Sequence, residues 1–83
     1  MTNPTMRAKM VVESVTATEH GENLKMRAVC KNGQYPEDGS DEDNTFAKFS
    51  PSASLEIYIA NPALYGKFKP GQKFYVDFTE AAS

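Results

Sequence analysis

The chain has 83 residues, of which 40% are hydrophobic and 24% charged, as is ordinary for one small soluble domain. We expect one domain, residues 1–83. No apolar run approaches the ~20 residues that a membrane-spanning helix needs, so we expect no membrane contact. The lead-in before Arg7 is too short and polar for a signal peptide. A single cysteine excludes an internal disulfide, which suits a reducing cytosol.

The net charge is −2, but the charges are unevenly distributed. Five of the 11 acidic residues fall within one short run: Glu37, Asp38, Asp41, Glu42 and Asp43. Outside this run the chain has 9 basic and 6 acidic residues, so its body is mildly basic. This run lies in residues 31–44, a segment with two glycines, one proline and no hydrophobic periodicity. We therefore predict a mobile acidic loop there.

Residues 6–19 are rich in Val and Thr and predict a long first strand. Its small apolar residues lie on two parities: Ala8, Met10 and Val12 on one, Val15 and Ala17 on the other. A straight strand cannot bury both sets, because parity decides the face. We therefore predict a β-bulge near Glu13 and Ser14, in a strand long enough to serve two edges of a sheet.

Residues 19–22 predict a tight hairpin turn, with Gly21 free to take a positive φ. Residues 23–30 then form the return strand, and Cys30 has the parity of its core-facing residues, so we expect a buried thiol. Cross-strand pairing places the basic residues of both strands on one outer face. They are Arg7, Lys9, Lys25, Arg27 and, at the edge, Lys31.

After the acidic loop, residues 45–49 predict a short strand that ends at a Ser-Pro-Ser break. Residues 55–59 and 74–78 alternate aliphatic or aromatic residues with others at period two and predict two further strands. Between them, Asn61 is suited to an N-cap, Pro62 to the first helical position and Gly66 to the left-handed residue that ends a helix. Residues 69–72 predict a type II turn with Pro and Gly at its centre.

The elements add up to an all-β domain: five antiparallel strands with one short helical turn between the last two. Such a set is expected to close into a small barrel or sandwich. An OB-type barrel is one candidate. Its usual helix lies between the third and fourth strands, whereas this one lies between the fourth and fifth, which argues against the standard topology.

Candidate catalytic residues are few, and we expect no enzyme. His20 lies in the predicted hairpin turn, and Cys30 lies at the far end of the return strand, roughly 23 Å away at ~3.3 Å per residue. A nucleophile and a general base must be within hydrogen-bonding reach, so these two do not form a dyad. The acidic run lacks the ligand spacing of an EF-hand, and no Cys/His set suggests zinc. We expect no metal and no cofactor.

Two kinds of partner remain. Basic residues with exposed aromatic residues are typical of single-strand nucleic-acid binding. The candidates are Arg7, Lys9, Lys25, Arg27, Tyr58 and Tyr75. The sequence pI near 5.3 argues against this, because such proteins usually carry a basic excess. A further hypothesis is that the acidic loop folds back on the basic face and masks it.

The other partner is a protein, or a second copy of the chain. Aromatic residues with outward parity favour interfaces, and the candidates are Tyr58, Tyr65 and Tyr75. They serve equally well as caps at the ends of the barrel core. Small sheets also have edges to protect, and pairing with another subunit is one solution. The sequence therefore favours a non-enzymatic binding or assembly module, with a small single-strand-binding barrel as the alternative.

The last 30 or so residues also carry a resemblance. The matching features are the Ser-Pro-Ser break, the Leu-x-Ile-x-Ile strand, Asn61-Pro62, the Phe-Lys-Pro-Gly run and the final Tyr-Val-Asp-Phe. This run resembles short all-β proteins encoded by tailed phages and prophages, a family without known catalytic residues. The resemblance implies a viral origin, an accessory or structural role, and a location in the host cytoplasm or the virion.

Overall fold

The computed structural model describes residues 4–30 and 33–82. It is all-β, with four antiparallel strands: β1 (Met6–Ala17), β2 (Glu22–Ala28), β3 (Ser54–Ile59) and β4 (Lys73–Phe78). They form one sheet in the order β3-β2-β1-β4. The 3₁₀ helix Pro62–Leu64 lies between β3 and β4, where the helical turn was predicted. The sheet is open, because β3 and β4 are its two edges and do not pair, so neither a barrel nor a sandwich is formed.

The predicted strand at residues 45–49 is wrong, and its absence leaves four strands instead of five. These residues form turns and bends, with Ala47 N–H donating to the Asn44 carbonyl. Phe49 has a φ of 63°, which no strand residue adopts. Thr45 does lie beside β1, and its N–H donates to the Arg7 carbonyl at 2.9 Å. The Arg7 N–H, however, donates to the side-chain hydroxyl of Thr45 instead of to its carbonyl, so the pairing does not continue as a strand.

The long first strand and its bulge are confirmed. Residues 10–17 of β1 pair with β2 and residues 6–11 pair with β4, so one strand holds both neighbours. The register of the β1–β2 pair shifts between Val12 and Ser14, which leaves Glu13 without a partner in the ladder. The shift returns Val15 to the side that holds Val12, so both parities of apolar residues reach one face.

The two faces of the sheet differ in composition. We call the apolar side the inner face, and its strand positions are Met6, Ala8, Met10, Val12, Val15, Ala17, Glu22, Leu24, Met26, Ala28, Leu55, Ile57, Ile59, Phe74, Val76 and Phe78. Glu22 is the one charged residue in this set. The buried core lies on this face along β1 and β2, and Phe46 and Phe68 from the connections pack against it. The opposite side is the outer face.

The hairpin between β1 and β2 is confirmed, but Gly21 is needed for a different reason than predicted. Its φ is not positive. A Cβ at this position would lie 2.5 Å from the carbonyl oxygen of Ile59 and 2.8 Å from the ring of Tyr58. Glycine is therefore required because β3 passes directly against the turn, a contact that a local pattern does not reveal.

The connection between β3 and β4 follows the prediction closely. The Asn61 side chain accepts a hydrogen bond from Ala63 N–H, and Pro62 begins the 3₁₀ helix. Gly66 has a φ of 77°. In the turn that follows, Gly71 has a φ of 93° and Gln72 N–H donates to the Lys69 carbonyl, as a type II turn requires.

Candidate functional site

The structure places all six candidate nucleic-acid residues on the outer face. Lys9 lies opposite Tyr75 and Arg7 opposite Asp77 in the β1–β4 pair. In the β2–β3 pair, Asn23 lies opposite Tyr58, and Lys25 and Arg27 share the parity of Asn23. These two groups of residues lie on the same side of the sheet. Arg27 on β2 pairs with Val11 on β1, and Val11 has the parity of Lys9. Lys31 lies outside the described residues.

Arg7 forms an internal ion pair with a neighbouring strand. Its Nε and Nη2 atoms donate to the two carboxylate oxygens of Asp77 at 2.7 and 3.0 Å. Its guanidinium also lies 4.3 Å from the centre of the Tyr75 ring. The hydrogen bond from Arg7 holds the pKa of Asp77 below its ordinary value. The charge of Arg7 is therefore already matched within the sheet.

Lys9 is matched by the acidic loop. Asp43 lies 3.4 Å from the Lys9 ammonium and accepts a 2.8 Å hydrogen bond from the Tyr75 hydroxyl. That hydrogen bond raises the pKa of Tyr75 above its ordinary value. The acidic loop thus reaches the basic face at Asp43, and the contact covers one cation and one aromatic residue.

The remaining cations of the candidate set also have acidic neighbours. Arg27 lies 3.7 Å from the carboxylate of Glu13, the unpaired residue of the bulge, and both side chains are exposed. Lys25 lies opposite Glu56 on β3. The outer face is consequently a mixed surface of alternating charges, and it lacks the basic excess that phosphate binding favours.

Asn44 is the residue that anchors the acidic loop, and the sequence reasoning did not single it out. It is fully buried, at 0% exposure. Its side-chain oxygen accepts from Lys9 N–H at 2.8 Å, and its amide nitrogen donates to the Val29 carbonyl at 2.7 Å and to Asp41 at 3.2 Å. Beyond the end of β2, the side-chain amide of Asn44 therefore makes the hydrogen bond to β1 that a backbone peptide group would make in a neighbouring strand.

Asp41 holds the backbone around Asn44. Its carboxylate accepts from the N–H groups of Asp43 and Asn44 at 3.0 and 3.2 Å. Burial works against ionisation of Asp41, but these hydrogen bonds and the one from the Asn44 side chain outweigh it and lower its pKa. An aspartate that accepts from amides two and three positions later is a recognisable Asx pattern, so the sequence did carry a signal for this turn.

Cys30 is exposed, so the predicted buried thiol is wrong. The reason is that β2 ends at Ala28, which leaves Cys30 outside the sheet. The thiol hydrogen-bonds with Tyr35, whose ring packs 5.8 Å from that of Phe49. Burial, with a smaller effect from Cys30, raises the pKa of Tyr35 to about 12. His20, in the turn before β2, lies beyond the opposite end of that strand.

The three candidate interface tyrosines keep exposed rings but use their hydroxyls within the chain. Tyr58 hydrogen-bonds with Thr18 at 2.8 Å, and Tyr65 donates to the His20 carbonyl at 2.9 Å. Tyr75 bonds to Asp43, as described above. Tyr58 and Tyr75 therefore each tie a connection to a strand of the sheet, and Tyr65 ties two connections to each other. The expected interface role of the three remains a prediction.

An apolar opening on the inner face was not anticipated. It is a groove of about 100 Å³ whose walls include Phe46, Leu55, Val76 and Phe78. Leu55 and Val76 belong to the two opposite edge strands, so the sheet curls around the groove without closing it. Ile57, two positions beyond Leu55 on the same face, is 46% exposed, and Phe78 is 48% exposed.

Comparison of the chain with protein-family models, curated proteins and solved structures finds no match. Within residues 4–30 and 33–82, no group of three or more His, Cys, Asp or Glu residues is arranged to hold a metal ion. No helix in these same ranges has the length and apolar character to cross a membrane.

Proposed function

We propose that this chain is a non-enzymatic binding or assembly module that acts through protein contacts. The observation that carries the proposal is the area it leaves exposed. A folded monomer of 9.2 kDa exposes roughly 4,900 Å², whereas this chain exposes 6065 Å². The excess of about 1,100 Å² is larger than the roughly 800 Å² that each partner buries in a standard protein interface.

The shape of the molecule agrees with this reading. Its extents are 48 × 32 × 17 Å and its radius of gyration is 14.7 Å, against about 12 Å for a compact chain of this length. A single sheet with one apolar side does not normally remain uncovered, because stable domains bury that side against a second layer. The connections supply only part of such a layer, through Phe46 and Phe68.

The proposal places the main contact on the inner face instead of at the three tyrosines. Ile57 and Phe78 are large exposed apolar residues, so covering them with a partner is favourable. The other strand positions on this face are uncharged except Glu22, which lies diagonally across from Ile57. Catalysis is left out because the one histidine and the one cysteine lie beyond opposite ends of β2. The accessory or structural role in a tailed phage, in the virion or the host cytoplasm, remains part of the proposal through the resemblance of the C-terminal run.

Binding of an anilinonaphthalene sulfonate dye, together with light scattering, tests the proposal. If the inner face is uncovered in a monomer, the monomer should bind the dye, since such dyes report exposed apolar surface. An inner face that is already covered by another subunit gives a defined oligomer. A monomer that fails to bind the dye would show that the chain covers its own apolar face, and would overturn the proposal.

The second candidate function is single-stranded nucleic-acid binding, favoured by the six candidate residues sharing one face. Titration of an oligonucleotide at about 50 and about 200 mM salt, followed by tyrosine fluorescence, tests it. Deleting residues 37–43 would also remove Asp41 and detach Asn44, so Asp43→Ala is the sharper variant. It removes both oxygens that hold Lys9 and Tyr75, and tighter, salt-sensitive binding is the expected result; no binding by either protein would exclude this function.

A further inference from the structure

We propose that the occupant of the inner face is a second copy of this chain, packed face to face against the groove and the exposed edge residues of that face. This inference rests on the proposed function and names its partner.

The first argument is area. The whole chain exposes about 1,100 Å² more than a compact monomer of its mass, against the roughly 800 Å² that each partner buries in a standard interface. On the inner face the large exposed side chains are those of Ile57 and Phe78 at the two edges, because the positions along the middle of β1 and β2 are buried within the chain. The half-exposed apolar residues on the two edge strands, Ile57 and Phe78, are the surface that the second copy would cover.

The second argument is charge. A chain with a net charge of −2 repels its copies weakly at long range, and a self-complementary interface must avoid like charges at short range. Glu22 is the only charged residue among the inner-face strand positions, and it lies at the hairpin end, where its carboxylate accepts from Gly66 N–H at 3.3 Å. The groove lies between Leu55 and Phe78. Leu55 is near the start of β3, whereas the residue opposite Glu22 in the sheet is at the end of β3.

The third argument is shape. The groove of about 100 Å³ is smaller than the cavity of about 150 Å³ that holds a benzene ring, so it accommodates one aliphatic side chain. Ile57 projects from the same face beside this groove. In a two-fold arrangement each copy offers both a projecting aliphatic residue and a groove, as an isologous interface requires.

The experiment measures mass by sedimentation or light scattering from about 1 μM to about 1 mM, a range that covers weak and moderate affinities. Ile57→Glu and Phe78→Glu place a charge in the proposed interface, and we expect each to weaken dimerisation at least about tenfold. Lys25→Glu is the control, since it makes a larger change of charge at an exposed position on the outer face. It should leave the dimer intact.

Circular dichroism and urea unfolding check that each variant is folded. Should a glutamate prevent folding, Ile57→Ser and Phe78→Ser are the milder variants. An independent measurement uses the unmodified chain: the methyl resonances of Leu55, Ile57 and Val76 should shift on dilution, while those of outer-face Val11 stay constant.

The outcomes separate this inference from the function on which it rests. A dimer that resists both glutamate variants uses another surface and overturns the inference. A monomer at every concentration that binds the dye also overturns it, but leaves a module that binds a different protein. A monomer that does not bind the dye overturns both. A dimer broken by the inner-face variants and retained in Lys25→Glu establishes the face-to-face pair.

Discussion

The two longer connections between strands approach the sheet in different ways. The long connection, residues 33–53, is held to β1 and β2 by Asn44 and Thr45, whose partners are 35 and 38 residues away. The short connection, residues 60–72, takes its turns from bonds that span two or three residues. It then docks on the sheet through Gly71 and Gln72, and on the β1–β2 hairpin through Tyr65 and Gly66. The long connection has its buried side-chain bonds to a distant strand, whereas the turns of the short connection are built from neighbouring residues.

The difference has a consequence for stability. A segment held mainly by one buried side chain should detach when that side chain is removed, because its backbone partners are then left unsatisfied. A segment built from several local turns should lose only the contribution of the turn that is altered. Substitutions at matched positions of the two connections can therefore test the comparison, and they are described here from the largest expected effect to the smallest.

Asn44→Ala should cause the largest loss. It removes three hydrogen bonds and leaves the Lys9 N–H and the Val29 carbonyl without a partner, at about 1–3 kcal/mol for each unsatisfied group. We expect the free energy of unfolding, measured in urea, to fall by about 3 kcal/mol. The control is Asn23→Ala, which removes one exposed hydrogen bond to Glu56 and should cost about 0.5 kcal/mol. Equal losses in the two variants would contradict the anchoring role of Asn44.

Gly39→Ala and Gly66→Ala compare the two connections at the same backbone conformation. Both glycines have a φ of 77°, so an alanine costs about 1–2 kcal/mol at either site. At Gly66 nothing lies within 4 Å of the added Cβ, whereas at Gly39 it overlaps the ring of Phe49. We expect Gly39→Ala to be the more damaging by about 1 kcal/mol, measured by urea unfolding, and to disturb the packing of Phe49 against Tyr35.

Phe49→Ala removes the ring and provides the test of that cause. In this background the added methyl of Gly39→Ala meets no ring, so the difference between Gly39→Ala and Gly66→Ala should disappear. A difference that persists without the ring would mean that the long connection is rigid at Gly39 for another reason.

The same contrast explains how much of the fold the sequence predicts. In the short connection Asn61, Pro62, Gly66 and Gly71 each act on their immediate neighbours, so residue type and spacing are sufficient. The alternation of the four strands and the bulge are also local patterns. The role of Asn44 depends on where β2 ends and on which edge of β1 is then unpaired. That information lies in the assembled sheet and not in any short stretch of sequence.

The candidate site also has one part that the sequence predicts and one part that it does not. Parity places Arg7, Lys9, Lys25 and Arg27 on one face, because alternation within a hairpin fixes the side of the sheet. It does not reveal that Asp77 and Asp43 approach them, since those contacts depend on β4 pairing with β1 and on the path of the acidic loop. The groove on the inner face was missed for a related reason: the predicted barrel would have filled it.

Asn61→Ala should have a smaller effect, confined to the short connection. The loss of one N-cap costs about 1 kcal/mol, and only Ala63 N–H loses its acceptor. Urea unfolding of the double variant with Asn44→Ala should give the sum of the two single losses within about 0.5 kcal/mol, because the sites share no partner. A clear departure from additivity would mean that the two connections are coupled through the sheet.

Asp41→Asn addresses the acid sensitivity of the long connection, which has this carboxylate within its own turn, whereas residues 60–72 contain no aspartate or glutamate. Hydrogen bonding holds the pKa of Asp41 below the ordinary value of 3.8. A lowered pKa in the folded state adds stability above pH 3.8, and that stability is lost as the pH falls through the folded-state value.

The unmodified chain should therefore become less stable to urea as the pH is lowered below 3.8, and Asp41→Asn should show a flatter decline from a lower starting value. The pKa values of Asp38 and Asp77 are lowered as well, so part of the decline should persist in the variant. Asp77→Asn is the matched control, because it removes a titrating group from the sheet and leaves the Asn44 anchor in place. Hydrogen exchange at acid pH should show the amides of Asp43 and Asn44 opening as the pH falls in both the unmodified chain and Asp77→Asn, because Asp41 is present in both. If the pH dependence of this opening is the same in Asp41→Asn, the anchor does not depend on ionised Asp41.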